Sequence, residues 1–320
     1  MKKNYMLDHS SGDRVFFTDG CNDLTREERI RYGIWPDVAP LSVTVNGENV
    51  DYSDIDDFYD KLKDGTYAPG SIRTACPSPE TIERLLVDII NNTPDYVNVY
   101  YLGASPYISA GTFNAHRMVM AEFAERYPMR KFVCIDTTCA SNGTALASQY
   151  IAASDAEDKD IELVAEDITK HTMHLFTQRE LSFSAKSGRY NTFERIALGA
   201  MEKMKISPNM FFPREDKLSI AGIARGDTIL NEWVNYFVQN RVDDDTIIRI
   251  AYGHHDEEAR ARKFVDKLKN AGAIRDEQIQ YARVGSAIGA HTGPTVLSIF
   301  FRQKDDRPLS KNDYKKPVKN

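Results

Sequence analysis

Tyr96-Val97-Asn98-Val99-Tyr100-Tyr101-Leu102 runs directly into Gly103-Ala104-Ser105-Pro106-Tyr107-Ile108-Ser109. The first seven residues are rich in Val and Tyr and suit a half-buried or buried strand. Small polar residues and a proline then break the run, and a helix pattern begins near Ser109. The same grammar recurs at Phe132–Ile135, where the loop Asp136–Gly143 leads into a helix pattern near Ala140. It also opens the chain, where Arg14–Thr18 (RVFFT) ends in Asp19-Gly20-Cys21-Asn22-Asp23. Repeated strand–loop–helix units imply parallel strands with helices on both faces of a sheet. Ligands in such sheets sit beyond the carboxyl ends of the strands. The loops Thr18–Asp23, Gly103–Ser109 and Asp136–Gly143 are therefore the places to look for function.

Between these units the local signals are clear. Leu41–Val45 is β-rich and closes at Asn46-Gly47, a strong turn signal. Ser53 is placed to cap a helix running to about Lys63. Ser78-Pro79 supplies an N-cap with proline at the first helical position. Ile82, Leu85, Leu86, Ile89 and Ile90 then follow i, i+3, i+4, i+7, i+8 spacing, so one face of that helix is buried.

From about Asp158 the pattern changes. A long helical stretch, roughly Ile161–Glu180, leads to Ser182–Tyr190 and a helix at Thr192–Met204. Short strands follow at Met210–Phe212 and Leu218–Ile223, then a helix at Asp227–Gln239, a strand at Ile247–Ala251 and a helix at Glu257–Asn270. Strands near Ile279–Ala282, Ser286–Ala290 and Val296–Phe301 complete the pattern. The expected fold class is α/β in two domains: a parallel-sheet βαβ domain over 1–168 and an α+β domain over 169–320. The basic tail Lys311–Asn320 is expected to fray.

Composition narrows the function class. The chain has 320 residues, 42% hydrophobic and 28% charged, which is the balance of a globular protein rather than a disordered one. Its formal net charge of −6 gives no global pull toward nucleic acid or anionic lipid. The uncharged run Val284–Phe301 contains Gly285, Gly289, Gly293 and Pro294, so it suits two short strands around a turn, not a membrane span. No apolar signal region follows Met1, and four cysteines do not make a disulfide framework. A cytoplasmic protein with reduced thiols is expected.

Common catalytic signatures are missing: there is no G-x-x-x-x-G-K-[ST], no G-x-G-x-x-G after a strand, and Gly103-Ala104-Ser105-Pro106-Tyr107 departs from a nucleophile elbow. No metal site is expected. His171 and His174 have i, i+3 spacing on the expected helix but lack a partner Glu-x-x-His. His254-His255, between a strand and a helix, suits a cap or loop role. Cys134 and Cys139 suit structural thiols.

Three segments remain: Ser71–Ser78, Ser105–Thr112 and Gly289–Pro294. The first is extended because Pro77 follows Cys76. The second is a small-residue loop entering a helix N-terminus, where the amides of Ala110 and Gly111 favour an anion. The third places His291 in a glycine-flanked turn. Their residue types also allow a hydrolase, with Ser109 as nucleophile, His291 as base and Asp19 or Asp136 as orienter.

Together these segments resemble the DegV family of bacterial lipid-binding proteins, whose members serve as fatty-acid-binding subunits of a fatty acid kinase. The family's T-D-S-x-x-D-L is matched by Thr18-Asp19-Gly20-Cys21-Asn22-Asp23-Leu24, and its T-S-Q-P-S by Thr74-Ala75-Cys76-Pro77-Ser78. Its L-S-G-T-Y is matched by Ile108-Ser109-Ala110-Gly111-Thr112-Phe113, with one extra small residue. Its G-G-R is matched by Ser187-Gly188-Arg189, its K-P segment loosely by Lys205-Ile206-Ser207-Pro208, and its I-G-x-H-T-G-P by Ile288–Pro294. The matches fall in family order from residue 18 to 301.

The resemblance implies a long-chain fatty acid lying between the two domains. Thr74, Ser109 and His291 would hold its carboxylate, supported by Ala110, Gly111, Thr112, Thr292 and Gly293. Arg189 would dock the kinase subunit that supplies ATP. It also implies a protein that presents its substrate instead of catalysing, with no cofactor and no nucleic acid, in transient contact with membranes. Ala75 departs from the family pattern by removing a hydroxyl. A lipid or small-anion sensor without a kinase partner is the remaining alternative.

Overall fold

The computed structural model describes residues 13–155, 159–188, 191–216 and 218–308. The chain divides into two compact units, one from residues 1–42 and 75–170, the other from Val43–Thr74 and His171–Asn320.

In the first unit, the strands Arg14–Thr18, Asn98–Gly103 and Phe132–Asp136 form a three-stranded parallel sheet with Asn98–Gly103 in the centre. Alternation puts Val15, Phe17, Val99 and Tyr101 on one face, where they pack against the helices Pro79–Asn92 and Pro106–Arg126. Phe16, Tyr100, Leu102 and Ile135 point to the other face, against the helices Asn142–Asp155 and Ile161–His171. Burial on both faces is what a parallel sheet requires and explains the nearly continuous apolar runs. Ser78 caps its helix by accepting from the Thr81 amide, with Pro79 at the first position.

The second unit holds a six-stranded mixed sheet in the order Ile279–Arg283, Ile248–Tyr252, Leu297–Arg302, Thr172–Thr177, Ile206–Phe211, Ser219–Arg225. Only the first pair is parallel. One face carries the core, where Leu175, Phe211, Ile250 and Ile299 meet Trp233, Phe237 and Phe264 from the helices Thr228–Asn240 and Glu258–Asn270.

Four expectations need correction. The segment Val43–Thr74, assigned above to the first domain, belongs to the second unit. Its helix, Ile55–Lys63, buries Phe58 and Tyr59 completely, and the Tyr59 hydroxyl donates to the Val284 carbonyl at 2.8 Å. The close fit depends on glycine: a Cβ at Gly289 or Gly253 would lie 2.5 or 2.9 Å from Tyr59 atoms. Asp54, not Ser53, caps this helix, accepting from the amides of Asp56 and Asp57.

The helix expected to run to Glu180 ends at His171, and Thr172–Thr177 is a fully buried strand paired with Leu297–Arg302. Its threonines and aromatics favour the pleat, and both faces are covered. His171 and His174 therefore do not share a helix face. The expected strand Ser286–Ala290 is instead the helix Ser286–Thr292, whose small residues let it pack closely on Tyr59. His291 sits in its last turn, not in a hairpin.

His174 is buried among Phe176, Phe212 and Phe300, with Nδ1 unpartnered. Burial, aided by the nearby Arg307 charge, holds it well below the ordinary histidine value of 6.5. Burial also lowers His116 in the first unit. Both remain neutral when folded but take up protons when unfolded, so stability is lost as pH falls below about 6.5. Each contributes a slope of up to about 1.4 kcal/mol per pH unit. Urea denaturation of wild type and His174→Phe between pH 7 and 5 checks this: the variant should show the shallower loss.

Candidate functional site

The candidate residues fall into two groups, one on each unit. In the second unit, Thr74 lies on the strand Ile72–Ala75, held extended ahead of Pro77. Its Oγ1 is 2.9 Å from His291 Nε2, joining positions 217 residues apart. Both side chains are half-buried. The histidine is positioned from both sides of its short helix. Its carbonyl accepts from Ser184 Oγ at 3.1 Å, and Thr292 Oγ1 donates to the Ile288 carbonyl. Gly293 then ends the helix at φ 76° and ψ −177°, donating its amide to the Gly289 carbonyl. That backbone region is essentially reserved for glycine.

In the first unit, Pro106–Arg126 is broken at Ser109, whose φ of −139° and ψ of 72° are non-helical. Ser105 caps the preceding turn. The break places Ser109 just ahead of Ala110 and Gly111, where the regular part of the helix resumes. Ser109 Oγ donates to Thr112 Oγ1 at 2.8 Å. Ala110 and Gly111 are exposed, and a Cβ at Gly111 would make ordinary contact with Cys76 Sγ at 3.4 Å. Nothing within this unit requires glycine at 111. Arg189 lies outside the described residues.

Beneath this turn is a buried polar assembly that the sequence motifs only half reveal. Asp19 is completely buried; it accepts from the Cys21 amide at 2.6 Å, the Ala104 amide at 3.2 Å and the Tyr101 hydroxyl. Burial, reinforced by the Asp19 charge, raises the Tyr101 phenol well above its usual value, so it remains a donor. The His116 ring stacks on Tyr101 at 4.3 Å and donates from Nδ1 to the Thr112 carbonyl. Asp19 thus ties the first strand's loop to the second's. Its place in a strand-end motif hinted at this role, but nothing local pointed to Tyr101 or His116.

This assembly answers the hydrolase reading. Asp19 accepts from three donors, none of them an imidazole, and these bonds hold the strand-end loops together. Asp136 accepts the Thr138 amide at 2.6 Å, as a turn carboxylate does. The remaining sequence candidates have defined local surroundings. His254 caps a short 3-10 turn by accepting from the Asp256 amide. Cys139 is buried, and burial pushes the Cys134 thiol up to about 11, which leaves it unreactive.

A doubly covered parallel sheet and a second unit built on a mixed sheet define a two-unit α/β protein, with hydroxyl and imidazole groups at its loop and helix ends. The family model described as "Uncharacterised protein, DegV family" matches residues 15–304. The chain belongs to the DegV family. A DegV domain-containing protein of Clostridium perfringens is 24% identical over 297 residues, covering 90% of this chain and 96% of that one.

Among solved structures, a DegV family protein from Thermus thermophilus, described for its fatty acid binding, matches with a TM-score of 0.73 at 22% identity. The match covers 91% of this chain and 99% of that one. A stearic acid-binding protein from Eubacterium ventriosum matches with a TM-score of 0.75 at 19% identity, over 90% and 98% of the two chains. A third, from Eubacterium eligens and loaded with heptadecanoic acid, matches with a TM-score of 0.74 at 18% identity, over 90% and 99%. At these identities the structural likeness establishes the fold. Among the described residues, no helix is long and apolar enough to cross a membrane.

Proposed function

We propose that this chain is a cytoplasmic fatty-acid-binding protein that buries a long acyl tail and presents its carboxylate to a separate kinase for acyl phosphate formation. The observation that carries the proposal is the Thr74–His291 pair: a hydroxyl and an imidazole held 2.9 Å apart at half-buried positions within the family's head-group motifs. Ser109 is the donor proposed from the first unit, backed by the amides of Ala110 and Gly111 at the break in its helix.

The physics divides the work between tail and head. Each buried methylene contributes about 0.8 kcal/mol, so ten give on the order of 8 kcal/mol before ordering costs. The tail supplies affinity. A desolvated carboxylate is costly without donors, so the head sets orientation. Neutral hydroxyls satisfy it without the strong charge neutralisation of an Arg pair, which suits an oxygen that must attack a phosphoryl group. The chain is a substrate-presenting subunit in this scheme, with ATP chemistry left to the kinase.

One exposed surface supports a proposed encounter. On the helix Thr192–Lys203, Phe193 is 81% and Ile196 67% exposed, near the basic Arg195, Lys203 and Lys205, a composition suited to transient membrane contact. Arg189, just before this helix in sequence, is the proposed kinase contact. Arg189→Ala should weaken acyl phosphate formation with kinase and ATP while sparing lipid binding.

Thr74→Val tests the head-group assignment. It removes one donor to a charge at nearly constant shape, worth roughly 1.5–3 kcal/mol, so fatty acid binding should weaken about ten- to hundredfold. Displacement of a fluorescent fatty acid from delipidated protein measures this. Unchanged affinity would remove Thr74 from the site. Full lipid binding without acyl phosphate formation by any kinase subunit would favour the sensor reading.

A further inference from the structure

Distinct from the proposed head-group residues, a cluster in the second unit brings together two histidines and an aspartate from segments 194 residues apart. Gly253 ends the strand Ile248–Tyr252 close against Tyr59, where a Cβ would meet the Pro294 carbonyl oxygen at 2.6 Å. This approach delivers His254 onto the helix Ile55–Lys63. The His254 amide donates to Pro294 at 2.8 Å, its side chain is only 5% exposed, and Nε2 lies 2.9 Å from Asp60 Oδ1. The His255 ring lies against it at a tilt of 36°, centroids 3.9 Å apart, with Nδ1 3.8 Å from the same carboxylate oxygen.

The surrounding charges single out Asp60. Asp56 is paired with Arg283, Asp57 with Lys61 and Asp256 with Lys63. Asp60 faces no lysine or arginine within ion-pair distance among the described residues; its neighbours are the two imidazoles. One carboxylate and two imidazoles form a donor set that a divalent cation complements.

We infer that Asp60, His254 and His255 form a binding site for a divalent transition metal of the zinc type. Nitrogen and oxygen ligands at about 2.0–2.2 Å from a tetrahedral zinc are roughly 3.3–3.5 Å apart. The three donor atoms here lie within 4.8 Å of one another, and the two that must adjust, on Asp60 and His255, belong to exposed side chains. Mixed imidazole and carboxylate donors favour zinc over magnesium or calcium, which prefer all-oxygen shells. Three protein ligands leave a fourth position for water.

The proton accounting is specific. His254 Nδ1 accepts from the Asp256 amide at 3.1 Å, so the ring proton is on Nε2 and is donated to Asp60. Ligation at Nε2 requires the other tautomer: the proton moves to Nδ1, which gives up the Asp256 amide and turns as a donor toward the Asp256 carboxylate, 3.6 Å away in this structure. Metal-bound histidines commonly donate their other ring N–H to such a carboxylate. The bound ion would clamp the helix Ile55–Lys63, and with it the segment that carries Thr74, to the end of the strand Ile248–Tyr252.

Zinc titration of the chelator-treated full-length chain by calorimetry, together with thermal melting, tests this. One equivalent should bind and raise the melting temperature, while magnesium does neither. His255→Ala and Asp60→Asn, both at exposed positions that leave the His254 cap intact, should each weaken zinc binding by at least about tenfold. His171→Ala, which alters a histidine outside the cluster, should not. Absence of one-equivalent binding at micromolar zinc, or affinity unchanged in the His255→Ala Asp60→Asn double variant, would overturn the assignment.

Discussion

Asp19→Ala should destabilise the protein by about 4–6 kcal/mol, the largest loss expected from any single change at the strand-end loops. The substitution strips the acceptor from the Cys21 and Ala104 amides and from the Tyr101 hydroxyl in a fully buried position. Hydrogen bonds to a charged group contribute roughly 1.5–3 kcal/mol each, and the abandoned donors are left dry. Against a total stability of about 5–15 kcal/mol, a loss of that size consumes a large share, and at the low end of the range it unfolds the protein. Asp19→Asn keeps an acceptor oxygen and should lose less. Urea midpoints compared at a common m-value measure both, and an Asp19→Ala loss below about 1 kcal/mol would show that the loops are held by something else.

Gly293→Ala should cost about 3–5 kcal/mol and weaken fatty acid binding more than tenfold. Two independent penalties add. The backbone at φ 76° and ψ −177° is strained for any residue with a Cβ, by about 1–3 kcal/mol. The new methyl would also lie 2.4 Å from Phe183 Cδ2, and overpacking of this kind costs about 1–3 kcal/mol. Relief of either penalty shifts the end of the helix that carries His291 two residues earlier, which is why binding should fall with stability. The two parts separate in a double-mutant cycle: in a Phe183→Ala background the contact is gone, and Gly293→Ala should cost only the backbone strain. An equal cost in both backgrounds would remove the packing component.

How much of this was legible beforehand depended on whether the physics was local. The strand Arg14–Thr18 and the capped helix at Ser78-Pro79 are specified by their own residues, and the parallel sheet followed from strand–loop–helix repetition. His291 is different. Ser286–Thr292 contains small apolar residues that suit a strand or a helix equally, and its helical form rests on packing against Tyr59, more than 200 residues away. The same contact draws Val43–Thr74 into the second unit, so Thr74 shares a unit with His291 through a docking that no local pattern announces.

The helix expected to continue past His171 failed for a similar reason. His171 and His174 have helical spacing, yet Thr172–Thr177 is consumed by pairing with Leu297–Arg302. The head-group candidates themselves were found by motif order, and their geometry was not: the Thr74–His291 contact and the break at Ser109 emerge only from tertiary structure. Asp60 carried no signal at all, because its partner imidazoles lie at the far end of the chain.

Mass spectrometry of the organic extract from freshly purified, denatured protein tests the central claim most directly. Long-chain fatty acid should be recovered at close to one molecule per chain, and the delipidated protein should rebind it saturably. Recovery of no lipid, together with a delipidated protein that takes up no long-chain fatty acid at any concentration tested, would contradict it.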